Sequence, residues 1–284
     1  MRREVRWERM FPDELEAAKS ACPLVYLTYG LCEPHGPQNA LGMDALRPHG
    51  VACRAAWESG GVVAPPHYWH IHDYGIYSAW AQPLIGEACP WSTPLPPWMF
   101  FKNLFYHVRA VDALGFRAVA MYTGHLGPHG RDMQPIVDIL QPHVAARLGF
   151  YGDFHLMPEE FKKGFSHGGN VETSYLWAVA PDCVDLSRLP APGSPGPHFA
   201  MGADAGEAKR CRGEAVVAAL AANLAGKGRE LLAEYERLRP PQAPLTFDQV
   251  EEIWETEVRP RFHTFASMQD LAPNQKAPPE TSRW

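Results

Sequence analysis

The chain alternates between short apolar runs, the length of buried strands, and longer stretches with helical period. Leu24 to Tyr29 reads as the first strand. Asp44 to Ser59 reads as a helix with Val51, Ala52, Ala55 and Ala56 on one face and Gly60-Gly61 as its stop. Pro48 fits this helix only in its first turn, because proline has no N–H for the preceding turn. Gly61 to Pro65 reads as a short strand, followed by an irregular segment, His67 to Pro97, in which His, Trp and Pro recur. Helical period returns over Trp98 to Leu114 through Phe101, Leu104, Phe105, Val108 and Val111, with Gly115 behind it. Phe116 to Tyr122 is the next predicted strand and Met133 to Leu148 the next helix. Strand–helix–strand alternation predicts an α/β fold with a mostly parallel central sheet flanked by helices.

The second half reads as helical. Glu172 to Ala180 is one helix, closed by Pro181, and Pro190 to Pro197 is a loop. Ala205 to Leu238 is a long helical stretch interrupted at Gly226 and Gly228, and Phe247 to Val258 is a further helix beyond Pro240-Pro241. Residues 1–284 are expected to form a single domain, with 239–284 a C-terminal extension packed on it or partly mobile.

Composition narrows the function classes. Hydrophobic residues are 46% and charged residues 20% of 284, enough to build a large core. A net charge of −6 gives no electrostatic footprint for nucleic acid. No apolar run approaches the roughly 20 residues that span a bilayer, so no membrane partner is expected. The first nine residues carry no apolar signal segment, and the six cysteines include no Cys-x-x-Cys pair. A reduced, cytoplasmic chain is the expectation.

The densest candidate chemistry lies directly after the first strand. Glu33, His35 and Asp44 sit in a loop rich in Gly and Pro, Glu33-Pro34-His35-Gly36-Pro37 through Leu41-Gly42-Met43-Asp44. Carboxylates and imidazole suit a divalent cation such as zinc, or manganese where oxygen ligands dominate. Alternate residues of an extended segment point the same way, so Glu33 and His35 can face one ion while Cys32 points away. His125 follows the later strand end. Ligands in parallel sheets gather beyond the carboxyl ends of strands, which brings Glu33 and His125 together. Read alone, these residues are equally compatible with turn caps and a packed loop histidine.

Three motifs in order resemble the creatininase (creatinine amidohydrolase) family. They are Glu33-Pro34-His35-Gly36-Pro37 with Leu41-Gly42-Met43-Asp44, then the strand ending Gly124-His125-Leu126-Gly127, then His167-Gly168-Gly169-Asn170-Val171-Glu172-Thr173-Ser174. The resemblance implies a creatininase-like fold and a metal-dependent hydrolase of C–N amide bonds in small cyclic or linear amides, acting through a metal-activated water. It also implies a homo-oligomer, with a hexamer expected. Peptide trimming within the same family, or a non-catalytic binding or assembly role, is the alternative. The implied ligands are Glu33, His35, Asp44, His125 and Glu172, holding one or two ions per chain, Zn2+ first, with Mn2+ or Fe2+ as alternatives. A carboxylate such as Asp44 can bridge two ions. His167 is implied as a catalytic acid/base, and Glu172 either as a ligand or as the carboxylate that positions water. The helix dipole offers Glu172 a purely structural role as well.

Three departures stand out. Pro34 follows Glu33 where many members have Gln, Gln38-Asn39-Ala40 replaces a frequent His-Leu-Pro, and Gly127 stands where creatininase has a second-metal glutamate. The run His67-x-x-His70-x-His72-Asp73 corresponds to a pocket-lining segment of the family. His70, His72 and Trp91, with Trp80 and Trp98 nearby, are candidates to bind substrate or to form a subunit contact. His49 and His143 read as structural or solvent-facing, and His129 as a residue at the pocket rim.

Overall fold

The computed structural model describes residues 3–72, 91–125, 129–241, 243–268 and 282–283. Asp73, Trp80 and Gly127 fall outside them, as does most of the C-terminal extension beyond Met268. The sheet holds four parallel strands in the order β2-β1-β3-β4. They are β1 (Leu24–Tyr29), β2 (Val62–Val63), β3 (Ala118–Thr123) and β4 (Arg147–Gly152). The α/β reading holds. β1 and β3 are buried along their whole length, which is why they read as continuous apolar runs rather than as alternating ones.

Alternation within β1 sorts its side chains onto two layers. Val25, Leu27 and Tyr29 face a cluster with Phe101, Leu104 and Phe105 of α3 (Pro97–Ala113) and Met133 and Ile136 of α4 (His129–Leu140). Leu24 and Tyr26 face the other cluster, with Val51 and Ala55 of α2 (Met43–Ser59) and Leu220 and Leu224 of α6 (Arg210–Leu238). Between α4 and α6 lies α5 (Asn170–Val179). An N-terminal helix, α1 (Pro12–Ala21), precedes the sheet. Leu245, Val250, Ile253, Trp254 and Val258 of the C-terminal extension join the α3 side of the core.

Several expectations change. The stretch Met133–Leu148 is not one helix: α4 ends at Leu140, Pro142 lies in the short turn that follows, and Arg147–Gly152 is the fourth strand. This edge strand alternates between buried and half-buried positions, so its apolar signal is weak. Pro48 lies in the second turn of α2 rather than the first. α6 runs unbroken through Gly226 and Gly228, and its start is Arg210, not Ala205. A side chain at Gly228 would stand 2.5 Å from Leu24, so glycine there serves close helix–strand packing and not termination. Phe247–Ile253 is helical (α7) and passes into a π-turn over Trp254–Val258. Among the described residues no helix is long and apolar enough to cross a membrane.

Candidate metal centre

The site forms where the carboxyl ends of β1 and β3 lie side by side, with Tyr29 opposite Thr123. Glu33 follows β1, His125 follows β3, and Asp44 is the second residue of α2, whose start is seated against both strand ends. A third segment arrives from the start of α5. There Gly168, at φ +61°, turns the chain so that its N–H donates to Glu172 Oε2 at 2.7 Å.

Asp44 is the centre of the arrangement. Its Oδ2 lies 2.9 Å from His125 Nδ1, and its Oδ1 lies 3.2 Å from His35 Nε2. Glu33 Oε1 is 3.2 Å from the same His125 nitrogen, and Glu172 Oε2 is 3.8 Å from His35 Nε2. Two triads that could each hold a metal ion therefore share Asp44, namely Glu33–Asp44–His125 and His35–Asp44–Glu172. Glu33, His35 and His167 make a third overlapping group, and within each group the ligand atoms lie within 4.8 Å of one another. Glu33, His35, Asp44, His125 and Glu172 are all buried. His35 Nδ1–H donates to the Glu33 carbonyl at 3.0 Å, which fixes the ring with Nε2 toward the carboxylates.

Electrostatics tests whether a cation fits. Burial pushes the Glu33 and Asp44 carboxyls up, but His125 beside Glu33 and His35 beside Asp44 reverse this and hold both below the usual carboxylate range. Burial disfavours charge on the two imidazoles, yet Asp44 raises His35 to about 9, and Glu33 with Asp44 raises His125. The pocket thus draws in positive charge through protons. A divalent ion supplies that charge directly and leaves both imidazoles neutral, the form that ligates. The oxygen-rich N/O donor set without thiolate suits zinc, manganese or iron(II).

His167 is half-buried and behaves differently. Its ring stacks on His35 with centroids 4.1 Å apart, and burial together with His35 lowers its pKa. Nε2 lies 2.9 Å from the Pro34 carbonyl, an acceptor only, so Nε2 carries the proton and donates it there.

The imidazole run of the sequence divides. His72 joins the site, with Nε2 3.1 Å from Glu33 Oε2. His70 is buried behind it, 3.9 Å from the Phe100 ring and edge-on to His125. His67 goes elsewhere and stacks on both Tyr29 and His107, which also meet each other. Trp91 is half exposed at φ +67° and packs edge-on against Phe199, whose carbonyl accepts from Gly36 N–H in the ligand loop. His143 pairs with Glu257 at 2.8 Å, and His49 lies 3.7 Å from Cys53 Sγ, both away from the site. His129 opens α4.

The structure adds residues that the sequence reading missed. Arg47, fully buried, places Nη2 2.7 Å from Asp44 Oδ1 and Nη1 3.0 Å from Glu172 Oε1. Asp153 lies beneath it, raised by burial to about 6, and accepts from Tyr122 Oη. Gln38 and Asn39 both donate to the His35 carbonyl and to Thr173 Oγ1, tying the ligand loop to α5. The one sequence signal for Arg47 is its spacing three residues after Asp44 on a predicted helix, which does not by itself tell a buried guanidinium from a solvated one.

The chain belongs to the creatininase family: residues 8–236 match its creatinine amidohydrolase profile. It is 25% identical over 202 residues to the creatinine amidohydrolase of Pseudomonas putida, covering 66% of this chain and 74% of that protein. It is 24% identical over 194 residues to the 3-dehydro-scyllo-inosose hydrolase of Thermotoga maritima, covering 63% of this chain and 57% of that one. A crystal structure of creatinine amidohydrolase superposes with a TM-score of 0.63 at 22% identity, over 80% of this chain and 98% of that one. A Mn creatininase, at TM-score 0.60 and 21% identity, shares the fold over the same fractions of the two chains.

Proposed function

We propose that this protein is a metal-dependent amidohydrolase that cleaves a C–N bond of a small cyclic or linear amide. The observation that carries the reading is Asp44, a buried carboxylate whose two oxygens face two different ligand sets. Glu33, Asp44 and His125 would hold one ion, and His35, Asp44 and Glu172 a second. When bound, such an ion polarises a carbonyl oxygen and lowers the pKa of water to about 7.

The chain's own residues supply the rest. Gly168 N–H and Arg47 fix the two oxygens of Glu172, which supports a ligand role for it over that of a mobile base. His167 gives Nε2–H to Pro34, so Nδ1 is the atom that takes up a proton and passes it to the leaving nitrogen. Its lowered pKa keeps it neutral at pH 7, ready to accept. The ligands are buried at the sheet end, which favours a compact substrate. His72 and Trp91 are proposed to flank it, whereas the packing of His70 against Phe100 supports an indirect role behind His125.

Elemental analysis of purified protein is expected to find at least one divalent ion per chain. A panel of cyclic amides, formamides and short peptides should yield chelator-sensitive hydrolysis of a small amide. A protein that neither carries nor takes up a divalent ion would overturn the reading.

A further inference from the structure

We infer that Arg47 acts as a fixed cation on one side of the centre, so that the two ligand triads bind divalent ions unequally: tightly at Glu33–Asp44–His125 and weakly at His35–Asp44–Glu172. This rests on the metal-dependent reading above and adds an asymmetry to it.

The guanidinium reaches only one side. It donates to Asp44 Oδ1, the oxygen that faces His35, at 2.7 Å, and it lies 3.0 Å from Glu172 Oε1. Both carboxylates of the His35 triad therefore already share a unit positive charge. On the other side, Asp44 Oδ2 faces His125, and Glu33 is met by the imidazoles of His72, His125 and His35. Those imidazoles can give up their protons to a metal; a guanidinium cannot.

Arg47 is also locked in place. It is fully buried, Nη2 donates to the Gly124 carbonyl at 2.9 Å, and the group lies 5.2 Å from the Tyr175 ring centroid. Asp153 Oδ2 stands 3.7 Å from Nη1 on the far side. An ion entering the His35 triad must approach a charge that neither moves away nor neutralises. In a site of low dielectric that repulsion is large, and a gap of at least about tenfold in affinity is expected. Activity would then depend on metal concentration in two steps, with a single ion resident at low metal.

Metal-stripped protein titrated with Zn2+ against a chromophoric chelator tests this. Wild type should show one tight site per chain and a second weaker by roughly tenfold or more. Arg47→Met should tighten the second site toward the first, while Arg47→Lys, which keeps the charge, should preserve the gap. Because Arg47→Met leaves Asp153 without its partner, the paired variant Arg47→Met/Asp153→Asn carries the same test in a neutral background. Two equal sites in wild type, or an unchanged gap in every variant that removes the charge, would overturn the inference and leave the metal-dependent reading standing. A wild-type protein that binds no Zn2+ would sink both.

Discussion

Gly30 lies against the backbone of Asp44: a Cβ at Gly30 would stand 2.2 Å from the Asp44 carbonyl oxygen. Gly124, at the end of β3, has the same relationship at 2.5 Å. Pro48, four residues along α2, offers no N–H to that carbonyl. The start of α2 is thus seated on the ends of both central strands, and this seating carries the Asp44 carboxylate to His125. Glycine at 30 and 124 is a demand of close approach.

Gly30→Ala is therefore expected to push α2 off the sheet. Overpacking of this kind costs about 1–3 kcal/mol. The melting temperature and the bound metal should fall together in one variant. Gly130, with nothing within 4 Å of an added Cβ, supplies the control, and Gly130→Ala should leave metal content intact. Unchanged metal and stability in Gly30→Ala would show that the strand end and helix start can separate freely.

Asp44 serves both triads, so removing its carboxylate should affect both. Asp44→Ala is expected to lose most bound metal and all measurable turnover. Glu172→Gln should reduce stoichiometry only on the His35 side, since Glu33, Asp44 and His125 stay in place. Full metal retention in soluble Asp44→Ala, measured by elemental analysis, would remove Asp44 from the ligand set.

The parts of the fold legible in sequence were those where one physical signal dominated. β1 and β3 are buried on both faces and bounded by glycine, so each read as an apolar run. β4 was missed because it lies at the sheet edge, alternates, and follows α4 after only a short turn around Pro142. The meeting of Glu33 and His125 was legible because parallel-sheet geometry gathers loops at strand ends, whereas grouping His35 and Asp44 with them as ligands came from the motif resemblance. Arg47 was not legible, because nothing in a helical pattern tells a buried guanidinium from a solvated one. Its value comes from Asp153 and Glu172, which are distant in sequence. The run from His67 to His72 read as one cluster, yet it sends side chains to three different environments.

His167 should separate chemistry from assembly. His167→Asn is expected to keep bound metal but lose turnover by about 10²–10⁴-fold, the usual contribution of a general acid–base group. Glu33→Gln should lose metal and turnover together. The His167 ring also packs on His35, so metal content must be measured in the same sample. Wild-type turnover in His167→Asn would transfer the proton to another carrier.

Acid stability depends on a pair of imidazoles away from the Asp44 site. His67 and His107 stack with centroids 4.3 Å apart, and Tyr29 Oη lies 3.2 Å from His107 Nδ1. Burial lowers His67 from 6.5 to about 4, and burial with the neighbouring His67 lowers His107 to about 3. In the unfolded chain both protonate near pH 6.5. As pH falls from there toward about 4, the unfolded state binds protons that the folded state refuses, so stability declines across that window. Glu33 and Asp44, held below the usual carboxylate range, keep their full stabilisation through this window and lose it only at lower pH. The raised His35 and His125 contribute their full stabilisation below 6.5 and lose it only on the alkaline side. Asp153, raised to about 6, takes up its proton first in the folded state and offsets part of this decline, equally in wild type and in a His67 variant, so the difference between the two over pH 6.5 to 5 reports on His67. His67→Phe keeps a stacking ring without a titrating group, and its urea midpoint should fall less steeply over that interval than that of wild type at equal metal content. An equally steep fall would mean that these imidazoles are solvated in the folded protein and take up protons as readily as in the unfolded chain.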